Sequence, residues 1–201
     1  MLNSAVVEFT FKGNRTYVQG PDLFNVMLAG FPDGLRRQIR FSAHDFVHTP
    51  NCMSHLTTDK SDLAGLSDIK ARCQCELDGI DYWMALTALQ TDSAVGKRMP
   101  YDEERVTSQC RIEGDGIWLI GESPFSFIET LVSMNKYLHQ QLFPDAVGKW
   151  IFTRIDLDQE SDAQSGLALL LKHNLNYRLT KSEILLDGKR LGDIYFSLVA
   201  A

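Results

Sequence analysis

Ser108-Gln109-Cys110-Arg111-Ile112-Glu113-Gly114-Asp115-Gly116-Ile117-Trp118-Leu119-Ile120-Gly121 is the stretch on which the fold turns. Ser108, Cys110 and Ile112 alternate with Gln109, Arg111 and Glu113, the period of a strand with one buried face. Gly114-Asp115-Gly116 turns the chain, Ile117 to Ile120 returns, and Gly121 precedes a helix start. The same grammar stands near the beginning. Val7, Phe9 and Phe11 alternate with Glu8, Thr10 and Lys12, Gly13-Asn14 turns the chain to Tyr17-Val18, and Gly20-Pro21-Asp22 opens a helical pattern. Gly13 falls on Gly114, Tyr17 on Trp118 and Gly20 on Gly121.

Both halves also close alike. Ile69, Ala71, Cys73, Cys75 and Leu77 alternate with charged and polar residues, Asp78-Gly79 is a hairpin signal, and Ile80 to Leu89 returns. In the second half Leu169 to Leu179 and Glu183 to Leu186 read as extended, Asp187-Gly188 turns, and Leu191 to Val199 returns. Between start and close, each half carries one helix and one further strand. The first helix, from Asp22, is stopped by Gly30 and Pro32. The second starts at Ser123-Pro124, or at a capping box over Ser126 to Glu129, with Ile128, Leu131, Val132, Leu138 and Leu142 on one face until Pro144. Gln38 to Phe46 and Lys149 to Leu157 are the strands that follow. The expected organisation is a repeat over 1–91, a linker over 92–104 and a second repeat over 105–201. The alternative is one antiparallel sheet with one long helix.

Composition narrows the classes. The 201 residues are 44% apolar and 10% aromatic, enough to build a core and exclude intrinsic disorder. A net charge of −6 disfavours nucleic acid as partner, and no apolar run is long enough to span a membrane. Met1 to Ala5 lacks the basic and apolar regions of a secretion signal, so a cytoplasmic location with reduced Cys52, Cys73, Cys75 and Cys110 is expected.

The doubled order of strands and helix resembles the double-hotdog arrangement: α+β, two antiparallel sheets each wrapping one central helix. The resemblance implies acyl thioesters of coenzyme A or acyl carrier protein as substrates and partners, with thioesterase- or dehydratase-like chemistry and no cofactor. The other function it allows is a non-catalytic module binding an acyl ligand, carrier protein or partner subunit, with homo-oligomerisation left open. The family's His-containing loop before the helix is missing, since the loops here read Gln19-Gly20-Pro21-Asp22 and Gly121-Glu122-Ser123-Pro124. Its Asp/Asn-Pro/His pattern and its loop of Asp, Gly, His and paired Asn are also missing.

The candidate catalytic groups are therefore acids near helix starts, Asp22, Glu122 and Glu129, with His44 as a group titrating near neutrality. Each acid also suits helix capping. Tyr17, Gln19, Gly20 and Asn25 in the first half, and Trp118, Gly121 and Ser123 in the second, supply the apolar and polar mixture of a binding pocket. His48, Cys52 and His55 have side chains that could ligate zinc, but their spacing matches no zinc site, and no metal is expected. Arg36, Arg37 and Arg40 form a basic cluster suited to phosphate, and Arg154 with Asp156 reads as a surface pair. Tyr137 and His139 on the second helix are alternatively cavity-lining or packing residues.

Overall fold

The computed structural model describes residues 2–89 and 97–200, so residues 92–96 of the expected linker lie outside the described residues. The chain divides into two compact units, Met1–Tyr101 and Asp102–Ala201.

In the first unit the elements are β1 (Asn3–Glu8), β2 (Phe11–Lys12), α1 (Gly20–Ala29), β3 (Arg37–Ala43), β4 (Asn51–Thr57), a 3-10 turn (Lys60–Leu63), β5 (Ile69–Leu77), β6 (Ile80–Ala88) and β7 (Arg98–Met99). The main strands lie in the order β1-β4-β6-β5-β3, each pair antiparallel. Helix α1 packs on β3 and β5. Its Leu23, Phe24 and Met27 are buried with Ile39 and Phe41 of β3 and Cys73 and Cys75 of β5, and the Phe24 and Phe41 rings meet edge to face at 5.5 Å. Burial of one such side chain stabilises by about 1.5–3 kcal/mol.

Two expectations fail here. The alternation from Val7 to Phe11 is not one strand. β1 pairs with β4, the Phe9 N–H turns to the Pro50 carbonyl at 2.7 Å, and β2 changes partner to run parallel to β7. The one further strand expected after the helix is two, because the segment around His55 forms β4 after β3. Asn51-Cys52-Met53-Ser54-His55-Leu56-Thr57 gives no clean apolar alternation, yet it is hydrogen-bonded on both sides, by β1 and by β6.

The second unit comprises α2 (Glu104–Thr107), β8 (Cys110–Glu113), β9 (Gly116–Leu119), α3 (Phe127–Leu142), β10 (Lys149–Gln159), β11 (Leu167–Leu175), β12 (Leu179–Leu186) and β13 (Lys189–Val199). Its strands follow the order β10-β13-β12-β11-β9-β8, again antiparallel. Ser108 ends α2 instead of starting a strand. The long extended reading from Leu169 to Leu179 is broken by a hairpin turn at Asn176 and Tyr177, which have φ of +47° and +62°.

Helix α3 takes the later of its two expected starts, because the Ser126 hydroxyl and the Glu129 carboxylate complete a capping box. Its buried face includes Ile128, Leu131, Met134 and Leu138, together with the polar Asn135 and His139. The final hairpins of the two units share one turn. Asp78-Gly79 has φ of +51° and +78°, and Asp187-Gly188 has +49° and +76°, the left-handed pair that a two-residue turn requires. No helix among the described residues is long and apolar enough to cross a membrane.

Candidate functional site

Asp22 is the third residue of α1, whose N-cap, Gln19, gives no side-chain cap. The Lys12 ammonium on β2 donates to the Asp22 carboxylate, and both groups are largely withdrawn from water. An ammonium so placed requires an anionic or hydrogen-bonding partner. The Arg15 guanidinium lies 2.8 Å from the Gln19 side-chain amide, and the Lys12 and Arg15 cations lie 5.3 and 5.6 Å from the centre of the Tyr101 ring. Arg98 of β7 donates to the carbonyls of Gly13 and Arg15 at 2.9 and 3.0 Å, which ties the loop between β2 and α1 to β7. The structure thus brings Gln19, Gly20 and Asp22 to one helix start, with Asn25 half-buried on the same helix. Tyr17 packs beside them on Phe46 and His48, at 4.7 and 6.3 Å between ring centres.

In the second unit Glu129 is the third residue of α3 after its N-cap. Its carboxylate accepts from the Ser126 hydroxyl at 2.6 Å and the Ser126 N–H at 3.1 Å. Asp22 and Glu129 therefore hold the same helical position, each in its own unit. A carboxylate there is favoured as an anion by the helix dipole and can serve as a base. Ser123 is buried, with its hydroxyl 2.6 Å from that of Thr130 and its N–H donating to the Gln164 carbonyl at 2.8 Å. Trp118 is half-buried on β9, and Gly121 leaves room for Gln109, whose amide oxygen would be 2.2 Å from an added Cβ.

Glu122 is exposed, one residue before buried Ser123. His44 stands just past β3, with its N–H bonded to the Lys70 carbonyl at 2.8 Å and its ring 3.3 Å from the Ser42 hydroxyl. Partial burial, and secondarily the Arg72 charge, hold its pKa below the ordinary histidine value. The basic cluster is also divided. Arg36 is buried and donates to the carbonyls of Phe31 and Pro32, closing the turn after α1, while Arg37 and Arg40 stay exposed.

Cys52 and His55 are three apart on β4 and so point to opposite faces. Cys52 faces the core, where desolvation raises its thiol pKa to about 11 and opposes the thiolate a metal needs. His55 is occupied by the Ser4 hydroxyl at 2.9 Å and the Thr87 hydroxyl at 3.1 Å. We expect the purified protein to carry no stoichiometric zinc and to melt at the same temperature with and without chelator. A melting point lowered by chelator and insensitive to it in Cys52→Ser would overturn this.

Of the two alternatives for His139, packing holds, and it does so within a buried polar group whose other members the sequence did not reveal. Asn135 and His139 of α3 face Ser182 and Thr180 of β12, and all four are fully buried. The Ser182 hydroxyl donates to the Asn135 side-chain oxygen at 2.7 Å, and His139 Nε2 is 2.7 Å from the Thr180 hydroxyl. The pairs are 41 and 47 residues apart in sequence. The only local signal is the i, i+4 spacing of Asn135 and His139, which puts both on one side of the helix. On the other face of the sheet, Arg154 and Asp156 form the expected surface pair, 2.6 Å apart.

No family model matches the sequence, and no curated protein is similar to it at a significant level. The structure is similar to that of a candidate thioesterase II from Thermobifida fusca YX, with a TM-score of 0.53 at 10% identity, over 98% of this chain and 92% of the other. It also aligns with the dehydratase domain of PpsC from Mycobacterium tuberculosis in complex with C12:1-CoA, with a TM-score of 0.49 at 10% identity, over 98% and 94% of the two chains. Antiparallel strand order, helix placement and the agreement with the candidate thioesterase II over 98% of this chain lead to one conclusion: the chain has the hotdog fold.

Proposed function

We propose that this chain is a tandem double hotdog, with repeats over 1–91 and 105–201, that binds and processes acyl thioesters of coenzyme A or acyl carrier protein. The observation that carries the proposal is the agreement of fold, across 98% of the chain, with a candidate thioesterase II. The helix starts supply the chemistry. Pro21 has no N–H, and those of Asp22 and Leu23 go to the Gln19 carbonyl, which leaves the Gly20 N–H as the donor for a thioester oxygen. Gly20 carries no side chain to obstruct that approach, and Asp22 stands two residues on as general base or nucleophile. Tyr17, Gln19 and Asn25 are the proposed substrate contacts in this unit, and Trp118, Gly121 and Ser123 those in the other. The α3 start is closed by its own capping box, so the first unit is the preferred working site, with Glu129, Glu122 and His44 as secondary candidates.

The bonds that Asp22 makes to Lys12 and Glu129 to Ser126 also favour a second reading, a module that binds acyl groups without turnover. Acyl-coenzyme A thioesters of graded chain length, assayed with a thiol reagent, test the first reading. Mass spectrometry of the purified protein for a retained acyl or pantetheine group tests the second. Turnover supports processing, and a retained ligand without turnover supports the binding module. Neither, across all chain lengths and with acyl carrier protein substrates, overturns both.

A further inference from the structure

His139 is enclosed in the second unit. Its ring centre lies 4.4 Å from Trp150 of β10, 5.6 Å from Phe196 of β13, where the rings stack at 17°, and 5.9 Å from Phe143. Both ring nitrogens are engaged. Nδ1 lies against the Asn135 carbonyl at 2.5 Å, and a carbonyl only accepts, so Nδ1 carries the hydrogen. Nε2 of the neutral ring then accepts from the Thr180 hydroxyl at 2.7 Å, which links α3 to β12.

Among the described residues, the charged side chains of the neighbouring strands turn away from this enclosure. Thr180 and Ser182 face inward from β12 and Ile194 and Phe196 from β13, while Lys181, Glu183 and Tyr195 alternate to the other side. Asp193 also belongs to that other side, where it pairs with Lys181 and Arg190. On β10, Trp150 and Phe152 face inward, and Arg154 pairs outward with Asp156. The titratable neighbour on the inner side is the Tyr177 phenol, whose ring is 5.1 Å from Phe143 and 5.9 Å from Trp150.

The two ends of α3 are held unequally. The capping box, the Ser123–Thr130 contact and buried Ile128, Leu131 and Met134 fix the first half. In the second half the buried side chains are Asn135, Leu138 and His139, Lys136 is tied to Glu103 by one ion pair at 2.6 Å, and Gln140 and Gln141 are exposed. A segment held by so few groups opens at lower free energy than the whole domain. Protonating Nε2 would set an N–H against the Thr180 hydroxyl, whose own hydrogen would then have to turn to the Phe196 carbonyl at 3.3 Å.

We propose that His139 is an acid-released latch, which ties the second half of α3 to β12 while neutral and lets that half open when protonated. Burial supports the direction, since desolvation holds the pKa below the ordinary value of 6.5. A folded-state value below that of the open state means that the open state binds the extra proton. Closure is thus complete above pH 6.5 and lost progressively as pH falls below it.

Hydrogen exchange of the whole chain, followed at pH 7.5 and 5.5 and corrected for intrinsic rates, tests this. Amides of 136–142 should be less protected than those of 128–134 at both pH values, and should lose protection at the lower pH by a factor that reaches at most about tenfold. His139→Gln should abolish that pH-dependent loss. Uniform protection along α3, or a loss unchanged in His139→Gln, would overturn the latch. Should that variant fail to fold, titration of the wild-type imidazole by NMR decides. A midpoint below 6.5 supports the proposal, and one at or above 6.5 sinks it.

Discussion

Asp22→Asn is expected to reduce acyl-thioester turnover by about 10²–10⁴-fold, the usual contribution of a positioned base. The substitution keeps the size of the side chain and its ability to accept from Lys12, but removes the basic charge at the α1 start. Its partner separates the chemistry from the scaffolding. If the carboxylate acts on substrate, Lys12→Met removes the ammonium beside it and leaves turnover within about tenfold, a smaller loss than removal of the base. If Asp22 serves only to neutralise Lys12, the two variants fall together and in step with their melting temperatures. Glu129→Gln should have the smaller effect on turnover, because its carboxylate is committed to Ser126. Equal activity of Asp22→Asn and wild type would remove Asp22 from the mechanism.

Gly192→Ala is expected to cost about 3–4 kcal/mol of stability, near the upper end for a single substitution. An added Cβ would stand 2.1 Å from the Asp156 carbonyl oxygen and 2.9 Å from the Leu157 Cα, across the pairing of β13 with β10. Both obstacles are main chain, so no rotamer change relieves them. Gly65→Ala is the control, with nothing within 4 Å of the new methyl group. It should change stability by less than about 0.5 kcal/mol. Urea unfolding of the three proteins measures the difference, and a Gly192→Ala midpoint equal to that of the control would contradict the expected clash.

Features encoded by adjacent residues were legible in the sequence. The two Asp-Gly turns, the Ser126–Glu129 capping box and the alternation of β5 all depend on neighbours in the chain. β4 was not legible, because a strand paired on both sides can hold Asn51, Ser54 and His55 without an apolar rhythm. The turn at Asn176-Tyr177 was hidden for a related reason, since Tyr177 is a strand former placed at a left-handed position. At the candidate site, Asp22 and Glu129 could be placed at helix starts from local spacing. Lys12, Tyr101 and Arg98 could not be gathered around Asp22, because strand pairing across the unit does that. Arg36 misled for the same reason, since a buried guanidinium bonded to two carbonyls looks like a surface charge in a linear sequence.

The parallel pairing of Phe11-Lys12 with Arg98-Met99 has a consequence for how the first unit is made. It joins residues from opposite ends of that unit, so its loop-closure entropy is met only after nearly everything between has been ordered. Contacts of such long sequence separation slow folding, and during synthesis this one must wait until the ribosome has released Arg98 and Met99. The hairpins of β5 and β6 can form earlier. Lys12 and Asp22 are translated well before Arg98 and Tyr101, yet the contacts that those later residues make around them belong to the last step of the unit's assembly.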